Sequence, residues 1–423
     1  MKSSRLPIGT SDPISYICTC AASSDPNSGL ILLFYRYVSS PPTLHPSPSQ
    51  TPQDLASFHT SLTSRLQIGG KIRVSKEGFN ITVGGTREAI HQYINECVSH
   101  WSLAGLDLDT EVKRDAYFKP GKGCACAFEG ACSVRVTSEI TPMGVTNYTP
   151  KDWSQVISLK PEDFHSMCLD KKAGDMIVDV RNHYESRIGY FVDGEGEKAL
   201  RPQVRRFSQW PLFVKRKIAG EVQGGGEGRS ILTYCTGGIR CEKGARFLQE
   251  SLADTSSKDK VFTLKGGIAA YQTWISSEIA AGRMSPSSSL FKGRNYVFDA
   301  RGSTGLSLPS VSDTEEAVAE CHVCGTQEER LSKCRSKGCH LILVICEKCE
   351  TGDVRCCENC LELDRSGVEK RPICECEKKR EACLWGSSAG TKIKSPKQKR
   401  RVKNVKSPFG GMDIVDIRIK TLE

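Results

Sequence analysis

Cys235 lies between the apolar run 230–233 and a helix-like stretch from Gly244 to Glu250, in the segment Tyr234-Cys235-Thr236-Gly237-Gly238-Ile239-Arg240-Cys241-Glu242-Lys243. A thiol at a strand-to-helix junction meets the unpaired N–H groups and partial positive charge of the helix start, which favour the thiolate and lower its pKa. Gly237 and Gly238 can take backbone angles that other residues resist, letting successive N–H groups turn inward as an anion-binding nest. Arg240 adds a fixed cation able to hold an oxyanion, and Thr236 and Ile239 complete the loop. The pattern points to a nucleophilic thiolate. A chance cysteine before a C-capping glycine pair is the alternative, and it leaves the strand-to-helix order and Arg240 without a purpose.

Several neighbours carry two readings each. Cys241 could resolve an oxidised or persulfidated Cys235, or simply pack the helix on its sheet. Lys243 and Arg246 either add positive potential to the loop or are ordinary exposed helix cations. Asp179 closes the apolar strand 176–180 and suits a structural role, while Arg181 and His183 just beyond it are candidates to face the pocket.

A second constellation is the crowding of 12 of the 21 cysteines between Cys321 and Cys383. Cys321-x2-Cys324, Cys334-x4-Cys339, Cys346-x2-Cys349 and Cys357-x2-Cys360 form four close pairs, enough for two tetrahedral Zn²⁺ sites. Pairing order is open: Cys356 could replace Cys357, His322 or His340 could enter, and Cys374, Cys376 and Cys383 are spare or bind a further ion. Cys124, Cys126 and Cys132 form a smaller group that lacks a fourth ligand.

The elements that must position these residues follow from the hydrophobic pattern. The chain of 423 residues is long enough for two or three domains. Residues 1–29 read as a disordered, Ser-rich extension that makes a poor organelle presequence. A strand at 30–37, a helix at 53–66, strands at 71–75 and 80–83, a helix at 87–98 and a strand at 109–118 give the β-α-β-β-α-β order of a ferredoxin-like α+β domain over 30–145. An inserted loop at 119–131 and a last strand at 133–140 follow.

From 153 to 283 short buried strands alternate with helices: a helix at 161–169, strands at 176–180, 231–234 and 261–264, and helices from Cys241 and at 267–280. This is the mark of a parallel α/β sheet with helices on both faces, whose ligands sit at the carboxyl ends of the strands. Cys235 is at such an end. The stretch 195–228 reads as a loop-rich rim, 284–320 as a linker, 321–383 as the cysteine module and 384–423 as a basic tail.

Asp179-Val180-Arg181-Asn182-His183-Tyr184-Glu185, Ile188-Gly189, the six-residue loop Cys235 to Arg240 and Lys265-Gly266-Gly267, in that order, resemble a rhodanese domain; the longer Cys-x5-Arg spacing of related phosphatases is absent. Together with 291–299 (Phe-Lys-Gly-Arg-Asn-Tyr-Val-Phe-Asp) and the closing cysteine module, the chain is similar to the rhodanese-domain tRNA uridine hydroxylase family. Its eukaryotic relatives are called thiosulfate sulfurtransferase/rhodanese-like domain-containing proteins. The resemblance implies hydroxylation of carbon 5 of a wobble uridine with O₂ as co-substrate and tRNA as partner. The wider superfamily implies an alternative, sulfur transfer through a Cys235 persulfide from a donor such as thiosulfate. A zinc-stabilised, non-catalytic scaffold is the third reading.

A net charge of +10 and a pI near 8.7 suit a polyanionic partner, although charge alone can mean only a soluble surface. Eight basic residues and no acidic one lie between Lys392 and Lys406, a block that could contact nucleic acid, address the nucleus or merely be solvated. No run approaches the ~18 apolar residues of a membrane helix. With no apolar signal core at the N-terminus, a reducing, cytoplasmic setting is the default expectation, with nuclear and organelle addresses left open.

Overall fold

The computed structural model describes residues 29–385 apart from 129, 146, 219–227, 255–256, 307–316, 338, 340 and 367–371, with the side chains of 383–385 also left out. The expectations for the N-terminal extension, the Gly224 to Gly226 rim, His340, Cys383 and the basic tail lie outside the described residues.

Strand β1 (Gly29–Tyr37) reads as a continuous apolar run because both of its faces are covered. Leu32 and Phe34 pack with α1 (Pro52–Arg65), β2 (Gly69–Ser75), β3 (Gly78–Thr86) and α2 (Arg87–Val98), joining Leu62, Ile72, Ile81 and Tyr93 in one core. Ile31, Leu33, Tyr35 and Tyr37 point the other way, as the period of two requires. Helix α1 opens on a capping box between Thr51 and Asp54 with Pro52 in the first turn, which satisfies its leading N–H groups.

The strand expected at 109–118 is instead a helix, α3 (Glu111–Phe118). Thr110 caps it by accepting from the Lys113 N–H, Glu111 sits in its positive first turn, and Lys119 ends it at φ 50°. Only Phe118 of this helix is buried, so the apolar residues that suggested a strand are mostly exposed. The edge position falls to β4 (Gly121–Lys122), within the stretch expected to be an inserted loop. With β5 (Cys132–Val136) the order is β4-β1-β3-β2-β5: the ferredoxin-like arrangement, plus β5 running parallel to β2.

The second unit is a four-stranded parallel sheet. It uses β6 (Ile157–Leu159), then α4 (Pro161–Leu169), β7 (Met176–Asp179), β8 (Gly189–Phe191), α5 (Trp210–Phe213), β9 (Ser230–Tyr234), α6 (Ile239–Ala253), β10 (Lys260–Leu264) and α7 (Gly267–Ala280), in the order β6-β10-β9-β7. Val178, Ile231 and Val261 face α5 and α6, whereas Ile177, Leu232 and Leu264 face α4 and α7. Full burial of such side chains contributes roughly 1.5–3 kcal/mol each. The stretch expected to be loop-rich contains α5, whose fully buried Trp210 donates from Nε1 to the Gly244 carbonyl at 3.0 Å.

The described part of the expected linker 284–320 is also folded. Strand β11 (Phe291–Gly293) pairs with β8, and β12 (Asn295–Tyr296) pairs with β13 (Ser303–Thr304). Its aromatic residues explain the difference, since Phe291 and Tyr296 are almost fully buried. The cysteine module follows as the hairpin β14 (Leu331–Lys333) and β15 (Ile342–Val344), then α8 (Glu347–Glu350), α9 (Glu358–Arg365) and α10 (Glu375–Trp385). Among the described residues no helix is long and apolar enough to cross a membrane.

Candidate active site

Cys235 follows β9 directly, and α6 begins four residues later with Gly238 at its N-cap at φ 99°. The Gly238 N–H donates to Cys235 Sγ at 3.2 Å. Burial pushes this thiol up, but a hydrogen bond from Cys241, the Arg240 guanidinium and the N–H groups of Cys241 and Arg240 outweigh it and bring the pKa down to about 6. Burial and the neighbouring Cys235 drive the Cys241 thiol the other way, well above its ordinary value. Cys235 is therefore the thiolate of the pair and Cys241 the proton donor; Cys241 packs in the core of the sheet, as one of its two readings expected, and also adjoins the Cys235 sulfur.

The loop is held from behind by the turn before α7. Ile268 N–H donates to the Cys235 carbonyl (2.9 Å) and Ala269 N–H to that of Thr236 (3.0 Å). Gly267, at φ 67°, leaves no room for a side chain: a Cβ there would lie 2.5 Å from Cys235 O and 2.6 Å from Gly238 N.

Arg240 does not close the loop as a free cation. Its fork is filled by Glu185, with Nη1 and Nη2 each 2.7 Å from a carboxylate oxygen, and Nη2 also reaches Thr236 Oγ1 at 3.1 Å. Glu185 is fully buried and so fixes the arginine beneath the thiolate while neutralising it. Arg181 does not face the pocket either: it is fully buried, paired with Asp179 (2.7 Å) and donating to the Gly189 carbonyl (2.5 Å). His183 lies toward the cysteine module, where burial and the charges of Arg380, Arg187 and Arg205 pull its pKa down to about 2.

Lys243 fits neither of its expected roles. It is 1 % exposed, with Nζ 2.9 Å from Glu77 and 2.8 Å from Glu139, so it anchors the ferredoxin-like domain to α6. Arg246 is buried as well, pairing with Glu242 and lying over the Trp153 ring.

The outward face of β1 forms the roof. Leu33 abuts Gly237, the Tyr35 hydroxyl donates to Glu242 (3.1 Å) and the Tyr37 hydroxyl donates to the Ile239 carbonyl (3.2 Å). Lys119 lies over the Tyr35 ring, its pKa pulled down to about 8 by burial against the opposing charges of Glu242 and Cys235. Beneath this roof Cys235 has no solvent exposure. Tyr35, Tyr37, Lys119, Glu185 and Glu242 were not among the residues anticipated. The one legible signal was two tyrosines with period two in a doubly apolar strand, since buried tyrosine hydroxyls need partners.

The cysteine module brings its thiols into clusters. Cys321, Cys324, Cys346 and Cys349 hold their sulfurs within 4.8 Å of one another, and so do Cys334, Cys339, Cys356 and Cys360. The expected pairs therefore interleave, first with third and second with fourth. The second quartet takes Cys356 where Cys357 was expected, because the Cys356 sulfur points inward, 3.7 Å from Cys339 and 3.1 Å from Cys360. Cys357 belongs to a third, overlapping group with Cys356, Cys360 and Cys374. An edge of 3.7 Å, as between Cys324 and Cys346, is close to the ~3.8 Å edge of a tetrahedron with metal–sulfur bonds of about 2.3 Å. Each quartet could hold a metal ion. His322, Cys124, Cys126 and Cys132 join none of these groups.

The family described as UPF0176 acylphosphatase like domain matches residues 29–140, and that described as Rhodanase C-terminal matches residues 292–361. A tRNA uridine(34) hydroxylase from Staphylococcus carnosus (strain TM300) is 30 % identical over 358 residues, covering 84 % of this chain and 96 % of that protein. The chain belongs to the tRNA uridine(34) hydroxylase family. Another protein of that name, from Arthrobacter sp. (strain FB24), is 29 % identical over 78 % of this chain and 98 % of its own length. Rhodanese-like domain-containing protein 6 of Arabidopsis thaliana is 28 % identical over 80 % of this chain, which spans only 54 % of that longer protein.

Proposed function

We propose that this member of the tRNA uridine(34) hydroxylase family hydroxylates uridine 34 of tRNA at carbon 5 with O₂, using Cys235 as its reactive sulfur. The observation that carries the reading is the Cys235 sulfur at the start of α6, accepting from the Gly238 N–H at 3.2 Å, in a chain that aligns with bacterial tRNA uridine(34) hydroxylases over almost their whole length. Placing one oxygen atom of O₂ on carbon and releasing the other as water takes two electrons and two protons. The Cys235 thiolate and the Cys241 thiol can supply the two electrons by closing a disulfide; Cys241 gives one proton, solvent gives the other, and an external thiol reduces the disulfide before the next turnover. Glu185, Arg240 and Gly238 orient the sulfur, and Lys119, Tyr35 and Tyr37 shape the space above it. The module's thiol clusters hold Zn²⁺ as structural ions, consistent with four soft donors at tetrahedral spacing. Nucleoside mass spectrometry of tRNA from cells with and without the protein tests the activity. Loss of 5-hydroxyuridine-derived nucleosides is expected, and an unchanged profile would sink the reading.

A further inference from the structure

The second and third thiol groups of the module share two members. Cys334, Cys339, Cys356 and Cys360 form one tetrahedral set, and Cys356, Cys357, Cys360 and Cys374 form another, so Cys356 and Cys360 belong to both. We propose that these six cysteines make a binuclear Zn²⁺ centre in which the Cys356 and Cys360 thiolates bridge two ions, Cys334 and Cys339 completing the inner one and Cys357 and Cys374 the outer one. The module then binds three ions, the third at Cys321, Cys324, Cys346 and Cys349.

Four sulfur–sulfur edges within the two groups have the length a tetrahedral site needs. Cys339–Cys356 is 3.7 Å, Cys334–Cys360 is 3.9 Å, Cys356–Cys374 is 3.7 Å and Cys356–Cys357 is 3.9 Å. All four are near the ~3.8 Å tetrahedral edge. The shared Cys356–Cys360 edge is shorter, 3.1 Å. A doubly bridged centre requires that shortening, because two cations facing each other across the shared edge repel and close the sulfur–metal–sulfur angle.

Burial favours sharing. Cys334, Cys356, Cys360 and Cys374 are all 5 % exposed or less. A single ion held by four thiolates leaves a net charge of about −2 on one metal, whereas six thiolates around two ions spread about −2 over both. The surroundings supply what such a centre needs. The Cys356 N–H points at Cys334 Sγ (3.4 Å), and Arg205 donates to the Cys339 carbonyl (2.6 Å). Cys376 lies 3.4 Å from both Cys356 and Cys374 but belongs to neither tetrahedral set.

The inference rests on the metal-binding reading above, and the test separates the two. Elemental analysis of the full-length protein purified with zinc should give three ions per chain. Two ions overturn the bridged centre while leaving metal binding intact, and none overturns both. Cys357→Ser and Cys374→Ser should each lower the count to two, whereas Cys376→Ser should keep it at three; any other pattern overturns the ligand assignment. Exchange of the wild-type protein into ¹¹³Cd²⁺ needs no substitution. Three resonances are expected, two of them split by mutual coupling through the shared sulfurs, and three unsplit lines would refute bridging.

Discussion

Replacing Lys243 by methionine should loosen the roof over Cys235. The ammonium is 1 % exposed and bridges Glu77 and Glu139, which are 19 % and 20 % exposed. Removing one partner of a fully buried ion pair costs about 3–5 kcal/mol, because the remaining charge is left uncompensated. Here each carboxylate keeps a backbone donor, Ile140 N–H to Glu77 (2.7 Å) and Met143 N–H to Glu139 (3.0 Å), and some contact with water. The expected loss is therefore about 2–3 kcal/mol, or roughly 30- to 150-fold in the equilibrium that docks the ferredoxin-like domain on α6. Cys235 has no solvent exposure beneath that domain, so if undocking is its route to reagent, its alkylation by iodoacetamide at fixed pH should speed up by the same factor. The triple variant Lys243→Met, Glu77→Gln, Glu139→Gln should recover most of the loss, because no charge is then stranded. A change below about 3-fold in alkylation, with an unaltered urea midpoint, would refute the roof as the gate and Lys243 as its anchor.

Alkylation of Cys235 should follow a midpoint near pH 6, where an ordinary thiol titrates near 8.5. Because the folded pKa is depressed, the thiolate's contribution to stability is complete above about pH 8.5 and fades as pH falls through about 6; a midpoint above 8 would contradict the cradle. Gly267→Ala should cost about 3 kcal/mol or more in chemical denaturation and return Cys235 toward ordinary reactivity, since its Cβ would strike Cys235 O. Gly282→Ala, at a similar φ of 70° with open space around it, should cost only about 1–2 kcal/mol. Chelation should make residues 321–376 susceptible to limited proteolysis while the two preceding domains stay resistant; an unchanged digest would argue against a structural metal.

The readable parts of this chain were those where local chemistry and tertiary need agree. The helix at Gly267–Ala280 and the strand ending at Tyr234 follow from hydrophobic period and turn residues. Gly78, at φ 142°, lets the chain turn back from β2 into β3. Cys235 was legible because a thiol, two glycines and an arginine lie within one loop. Its regulators were not, because they come from distant segments: Glu185 is 55 positions from Arg240, Tyr35 is 207 from Glu242, and Lys243 finds Glu77 across 166. Sequence spacing carries no information about such pairs. The same limit explains Arg181 and His183, whose neighbours in the chain pointed to the pocket while their partners in space did not. For α3, a Thr cap and an acidic first turn outweighed scattered apolar residues. In the cysteine module the close cysteine pairs were plain, but which pairs meet depends on how β14 and β15 fold back.

The most direct test of the central claim is re-expression of Cys235→Ser in cells lacking the protein, followed by quantitation of 5-hydroxyuridine-derived nucleosides in their tRNA against wild-type re-expression at matched protein levels. Wild type should restore these nucleosides and Cys235→Ser should leave them at the null level; restoration by the serine variant would contradict the assignment of Cys235 as the reactive sulfur.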